Sequence, residues 1–324
     1  GAKALIVICS DKKLAEYSAE SGNQVPETSA FLSSLSPYPA YTDHLWALPD
    51  DQPEIPVCYI SQRLAALLMG SDIAVFAEAE KTGDARKVDS PGPINNWQIH
   101  LSSTFQEERL SGRNVLGLIR GADTSRVVVI GAHYDHLGER NGLIYNGSDD
   151  NASGVAGMLA LAAAWKRSGV QPPVNLLFAA WAGEEKGHLG SRYFVNDHDF
   201  KKSGILLNLN FDMISRSDET DTSRNILSIG MLKGTNDLRE MAIRENRYLS
   251  RPFNLDLWET TGGGGSDYAA FSLKKIPVMS FFTGFHRDYH TPGDVFAKAD
   301  HDKMEAVLQL ANRMLVAYLS EIIL

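Results

Sequence analysis

Four stretches of the chain are apolar almost without interruption over the length of a strand: RVVVIGAHYD (126–135), VNLLFAAWAG (174–183), ILLNLNFDMI (205–214) and IPVMSFFTG (276–284). Runs of this kind are what strands buried on both faces require, and helical segments separate them, so the pattern predicts a doubly wound, mostly parallel α/β sheet flanked by helices. The helices are legible as well. SGVAGMLALAAAWKR (153–167) begins at a capping residue, Asn151 or Ser153, and stops at Gly169 ahead of Pro172 and Pro173. NDLREMAIRENRYL (236–249) is amphipathic, and MEAVLQLANRMLVAYLSEIIL (304–324) is a long closing helix. Period-two alternation in NWQIHLSSTFQEERL (96–110) and RNVLGLIRG (113–121) predicts a hairpin at the edge of the sheet.

The first 90 residues have a different rhythm. They read as strand, polar loop, strand, helix, strand: GAKALIVICS, the Ser- and Pro-rich stretch from Ser21 to Asp51, IPVCYIS, RLAALLMG and IAVFAEAE. KTGDARKVDSPGP (81–93) is polar and rich in Gly and Pro, which marks a boundary between residues 1–90 and 91–324. Cys9 and Cys58 each lie inside an apolar run, where a buried thiol and a disulfide both remain open.

Composition narrows the partners more than the fold. With 31 Lys+Arg against 40 Asp+Glu the net charge is −9, which argues against a nucleic-acid partner. No apolar run reaches the ~18 residues of a membrane span.

Chemistry-bearing residues fall at the ends of the four apolar runs, where open α/β sheets bind ligands. His133 and Asp135 end the first run, and Asp149 and Asp150 precede the helix that follows it. Glu184 and Glu185 end the second run, Asp212 ends the third, and His290 follows the fourth. Singly, these residues also fit a capped strand end, an N-cap cluster, a solvated acidic pair and a loop histidine. Asp212 resists such a reading, because a carboxylate in a buried strand costs several kcal/mol unless it is paired or bound to metal. Jointly, converging carboxylates would repel one another unless a divalent ion joined them. Imidazoles and carboxylates without cysteine suit Zn²⁺, with Co²⁺ or Mn²⁺ in substitution, and the ligands are too many for one catalytic ion.

GAHYDHLG, GSDDNASGVAGMLALA, AAWAGEEKGHLGS, NLNFDMI and DYHTPGD, in this order, resemble the co-catalytic zinc peptidases of family M28, from about Asn114 to the C-terminus. Residues 1–90 resemble the later part of the protease-associated (PA) domain that many members carry. The family's opening helix and the first half of that domain have no counterpart, so the chain reads as a fragment. The resemblance implies a zinc aminopeptidase acting on peptides, periplasmic or secreted, with two zinc ions. It implies that Asp149 bridges both ions through a cis Asp149–Asp150 peptide. His133 and Asp212 would complete one site, and Glu185 and His290 the other. Glu184 would be the general base, and the carboxylate of Asp135 would accept the second ring N–H of His133. Tyr289 matches a position that stabilises the oxyanion. The Gly262–Gly265 loop, with Ser266 and Asp267, resembles the border of the substrate cleft, and Asp267 also reads as a helix N-cap. Trp258, Tyr268 and Phe285 read either as pocket lining or as core, and His136, His188 and His286 as solvent or loop histidines. A carboxypeptidase using Arg192, Arg216 or Arg287 stays open, with a glutaminyl cyclase or an inactive receptor-like module behind it.

Overall fold

The computed structural model describes residues 110–324 apart from Asn141, 197–203 and Leu324; before residue 110 it describes only short pieces. Two compact units divide at Arg109/Leu110, about twenty residues beyond the boundary that the polar linker suggests. In the first unit, strands β1 (Leu5–Cys9) and β2 (Val57–Ser61) pair in parallel. Their register sets Cys58 opposite Ile6 and Cys9 opposite Ser61. IAVFAEAE, read as a strand, instead contributes helical residues at Ala74, Val75 and Glu78, as its Ala and Glu content favours. The rest of the PA-like reading, and the first strand of the expected edge hairpin, lie outside the described residues.

The second unit is built on a seven-stranded sheet. Its strands are β3 (Val115–Ile119), β4 (Asp123–His133), β7 (Val174–Trp181), β8 (Ile205–Phe211), β9 (Ile226–Leu232), β10 (Asn254–Thr260) and β11 (Val278–Phe282), in the order β10-β9-β11-β8-β4-β7-β3. The short strands β5 (Gly138–Arg140) and β6 (Leu143–Tyr145) form a separate hairpin. The four apolar runs of the sequence are the four adjacent strands β11-β8-β4-β7, all mutually parallel. β3 is an antiparallel edge on β7, and β9 runs antiparallel to β11. β10, at the far edge, escapes the apolar-run criterion because it is only half-buried and carries Asp256 and Glu259, and β9 because Ser228 and Gly230 interrupt its short apolar run.

Alternation along the central strands explains why they are apolar throughout. Val128, Ile130, Leu176, Phe178, Leu207 and Leu209 pack beneath α1 (Gly154–Ser168), α3 (Asn236–Asn246) and α5 (His301–Ile323). The residues between them, Val127, Val129, Leu177, Ala179 and Trp181, pack on the other face against Phe194 of α2 (Leu189–Asn196) and Phe271 of α4 (Tyr268–Leu273). Both faces are therefore covered, and most large apolar side chains of the central strands leave water. Among the described residues no helix is long and apolar enough to cross a membrane.

Candidate metal centre

The carboxyl ends of β4, β7, β8 and β11 lie side by side, so the loops that follow them converge. His133 is the last residue of β4, and Asp212 directly follows β8. Glu184 and Glu185 occupy a single tight turn after β7, between Gly183 and Gly187, both in the left-handed conformation that glycine adopts without strain. Asp150 sits in the irregular turn Ser148–Ser153 that leads into α1, and His290 lies in the loop after β11. His290 and Met213, beside the site, are left-handed non-glycine residues (φ 55° and 53°). Thr283 pins Met213 by donating both its N–H and its hydroxyl to the Met213 carbonyl, at 3.0 and 2.8 Å.

Two groups of ligand-type atoms form here and share one residue: His133, Asp150 and Asp212, and His136, Asp150, Glu185 and His290. Asp150 Oδ1 lies 3.3 Å from His133 Nε2, which is also 3.5 Å from Asp212 Oδ1. The other oxygen, Oδ2, lies 3.1 Å from His290 Nε2 and 3.6 Å from His136 Nδ1. Asp150 thus presents one oxygen to each group.

This corrects the expected place of Asp149. Its carboxylate turns away from both groups, with Oδ1 accepting the N–H and hydroxyl of Ser215 at 2.8 Å each and Oδ2 3.4 Å from His286. The cis peptide is likewise Asp150–Asn151, one residue later than expected. The reason is local. Buried Asp294 accepts the backbone N–H groups of Asp149 (3.0 Å) and Asp150 (3.1 Å), while the Asn151 side chain donates to Phe211 O and accepts from Gly154 and Met213. That lacework fixes Asp149 and Asn151 as scaffold and leaves Asp150 facing the cleft.

Asp135 also acts differently from expectation. His133 Nδ1 is 3.0 Å from the Asp135 backbone carbonyl and 4.0 Å from its carboxylate. The carboxylate instead accepts the backbone N–H groups of Glu184 (3.0 Å) and Glu185 (3.3 Å), tying the acidic turn to the end of β4. Glu184 lies outside both groups, with Oε2 4.0 Å from His133 Nε2 and Oε1 3.2 Å from His188 Nε2. Tyr289 stacks on the His290 ring at 3.8 Å between centroids.

The three histidines read as solvent or loop residues are all placed elsewhere. His136 belongs to the second group, His188 pairs with Glu184, and the side chain of His286 is fully buried behind Asp149. Trp258 packs edge-on against buried Tyr268 at 5.7 Å and donates to Ser228, a packing role. Phe285 is 55% exposed, so it is not core, and it continues an aromatic row through Tyr289 to His290. Sequence reasoning also passed over Asp294 and Ser215; the signal for Asp294 was its place in DYHTPGD, four residues after His290.

The electrostatics describe a site that gathers positive charge. Burial pulls His133 towards neutrality, but Asp212 and Asp150 outweigh it and hold its pKa well above the ordinary value. Burial likewise opposes ionisation of Asp150, yet His133 and His290 hold it low. Glu184 is pushed up, first by burial. Burial and the charges of Asp150 and Glu185 raise the Tyr289 phenol, keeping it a proton donor. Asp212 Oδ1, Glu185 Oε1 and both ring nitrogens of His136 are buried without a hydrogen-bond partner, a cost of about 1–3 kcal/mol each that a cation would relieve. Imidazole and carboxylate donors fit zinc.

Asp267, at the start of α4, is fully buried, and burial pushes its pKa from 3.8 up to about 7 against the pull of His133. Between these two values the unfolded chain releases a proton that the folded chain keeps, so stability falls as pH rises through that window. In chelator-treated protein, Asp267→Asn should therefore gain stability over the unsubstituted chain, by an amount that grows from pH 4 to pH 7.5 towards about 4 kcal/mol. Melting curves across that range test this; a difference independent of pH contradicts it.

The profile of Peptidase family M28 matches residues 114–315. Leupeptin-inactivating enzyme 1 of Streptomyces exfoliatus is 30% identical over 241 residues, 71% of this chain and 50% of that protein. A probable leucine aminopeptidase 2 of Aspergillus fumigatus is 31% identical over 184 residues, 55% of this chain and 34% of the relative. The chain thus spans about a third to a half of the length of these relatives. In fold it is similar to BSAP, a zinc aminopeptidase from Bacillus subtilis (TM-score 0.52, 24% identity, 63% of this chain and 49% of that one). The same fold extends to a glutaminyl cyclase from an Acidobacteriales bacterium (TM-score 0.52, 16% identity, 64% and 74% covered).

Proposed function

Since this chain belongs to peptidase family M28, we propose that it is a metallo-exopeptidase that removes N-terminal residues from peptides, with two zinc ions that cobalt or manganese would replace. The observation that carries this reading is Asp150, one carboxylate with an oxygen turned to each of two ligand groups. His133, Asp150 and Asp212 would hold one ion, and Asp150, Glu185 and His290 the other. When bound, a zinc pair acidifies water and polarises a carbonyl.

The chain's own residues supply the rest. Glu184, held outside both groups and pushed up in pKa by burial, is suited to take the proton of the attacking water and return it to the leaving amine. The protonated Tyr289 hydroxyl would donate to the oxygen of the scissile carbonyl as charge develops there. Asp135 keeps the acidic turn in register with His133, and its carbonyl selects the His133 tautomer. The aromatic row Phe285–Tyr289 borders the site and would favour an apolar side chain on the departing residue.

A carboxypeptidase needs a cation to receive the substrate carboxylate; of the three arginines, Arg216 is engaged by Asp288 at 2.8 Å and Arg192 donates to the Gly187 carbonyl at 3.4 Å, while Arg287 is exposed and 3.9 Å from Glu219, so a peptide pool decides the direction of attack. Two ligand groups sharing a carboxylate speak against a single-zinc cyclase site.

The test is mass spectrometry of a pool of short peptides, with free and acetylated N-termini and one member beginning with Gln, after incubation with the zinc-loaded protein. Stepwise loss from the free N-termini alone, stopped by a chelator, is expected. Trimming from the other end, ammonia loss from the Gln peptide, or an unchanged pool would overturn the proposal.

A further inference from the structure

We propose that His136 is a fourth protein ligand to the ion held by Asp150, Glu185 and His290, so that this site is closed by protein while the site at His133, Asp150 and Asp212 stays open. The proposal rests on the two-metal reading above and goes beyond it, since that reading needs only three ligands per ion.

His136 lies three residues beyond His133, and the intervening bond from His133 to the Asp135 carbonyl turns the chain back towards the cleft. Its side chain is only 8% exposed, and neither ring nitrogen has a hydrogen-bond partner. Nδ1 nevertheless lies 2.8 Å from Glu185 Oε1, itself buried and unpartnered, and 3.6 Å from Asp150 Oδ2. Nδ1 and Oε1 are this close without hydrogen-bond geometry, a spacing at which both atoms can bind one cation lying beside them. One ligand atom from each of His136, Asp150, Glu185 and His290 falls within a 4.8 Å cluster. The His136 ring meets His290 edge to face at 5.6 Å, which packs the two imidazoles against each other at that cluster.

Two imidazoles and two carboxylates complete a tetrahedral zinc shell, the arrangement of sites closed by protein. The other group offers three ligands, the number that leaves a position for water or substrate. The two ions therefore differ: the closed site fills first and exchanges slowly, and the open site fills second.

The experiment titrates chelator-treated protein with Co²⁺ alone, following bound metal by calorimetry and ligand identity by paramagnetic proton NMR. The full chain should take two equivalents in two resolved steps, with hyperfine-shifted signals from three imidazoles. His136→Gln should weaken the first step by about ten- to a hundredfold and leave signals from two imidazoles. His136→Asp, which restores a ligand atom, should recover much of that affinity. Melting curves in chelator identify a variant that has simply lost its fold, and the three-imidazole count on the unsubstituted chain stands without any variant. Two shifted imidazoles on the unsubstituted chain, or an unchanged isotherm in folded His136→Gln, would overturn this proposal while leaving the two-metal reading intact. Fewer than two equivalents bound by the unsubstituted chain would sink both.

Discussion

Glu184→Gln is expected to lower kcat about a thousandfold while the protein keeps both metal ions. The magnitude follows from the range of ~10²–10⁴ that a positioned general base contributes. Retention of metal follows from geometry. Glu184 belongs to neither ligand group, and its Oε2 stands 4.0 Å from His133 Nε2, beyond a shared coordination shell. Gln keeps the volume and can still meet His188, so the turn that carries Glu185 stays in place through the backbone hydrogen bonds to Asp135. Because burial raises the Glu184 pKa, kcat/KM of the unsubstituted enzyme should fall on the acid side of a pKa above the usual glutamate range, as the base takes up its proton. Steady-state kinetics beside elemental analysis tests both halves. A variant with more than a tenth of the original turnover removes Glu184 from the role of base.

Asp150→Ala should have the larger effect on metal, taking the protein from two bound ions to one at most and turnover to background. Without Asp150 the His133 group retains only an imidazole and one carboxylate, too few to hold zinc at micromolar levels. The neighbouring residue provides the control. Asp149→Asn keeps an acceptor for the Ser215 N–H and hydroxyl, so it should retain both ions. Metal counts after dialysis separate the two variants; loss of both ions from Asp149→Asn with retention in Asp150→Ala would reverse the assignment.

The contrast between these adjacent aspartates shows how far the residues alone could be read. The four central strands were legible because burial on both faces forces an uninterrupted apolar run, as in β4 and β7. The strand-end positions of His133, Asp212, Glu184 and Glu185 followed from those runs. The choice between Asp149 and Asp150 did not, since it depends on Asp294, some 145 positions away, capturing both backbone N–H groups. His136 was misjudged for a similar reason: three residues past a strand end is ordinary loop, and only the fold of that loop buries the ring beside Glu185. The exposed edge strand β10 lacked the apolar signature because solvent meets part of it.

The shared carboxylate is tested most directly by crystallography of the zinc-loaded protein at the zinc absorption edge. Two anomalous peaks are expected, both within coordination distance of Asp150, one beside His133 and Asp212 and the other beside Glu185 and His290. A single peak, or a pair bridged by Asp149 with Asp150 turned away, would contradict that sharing.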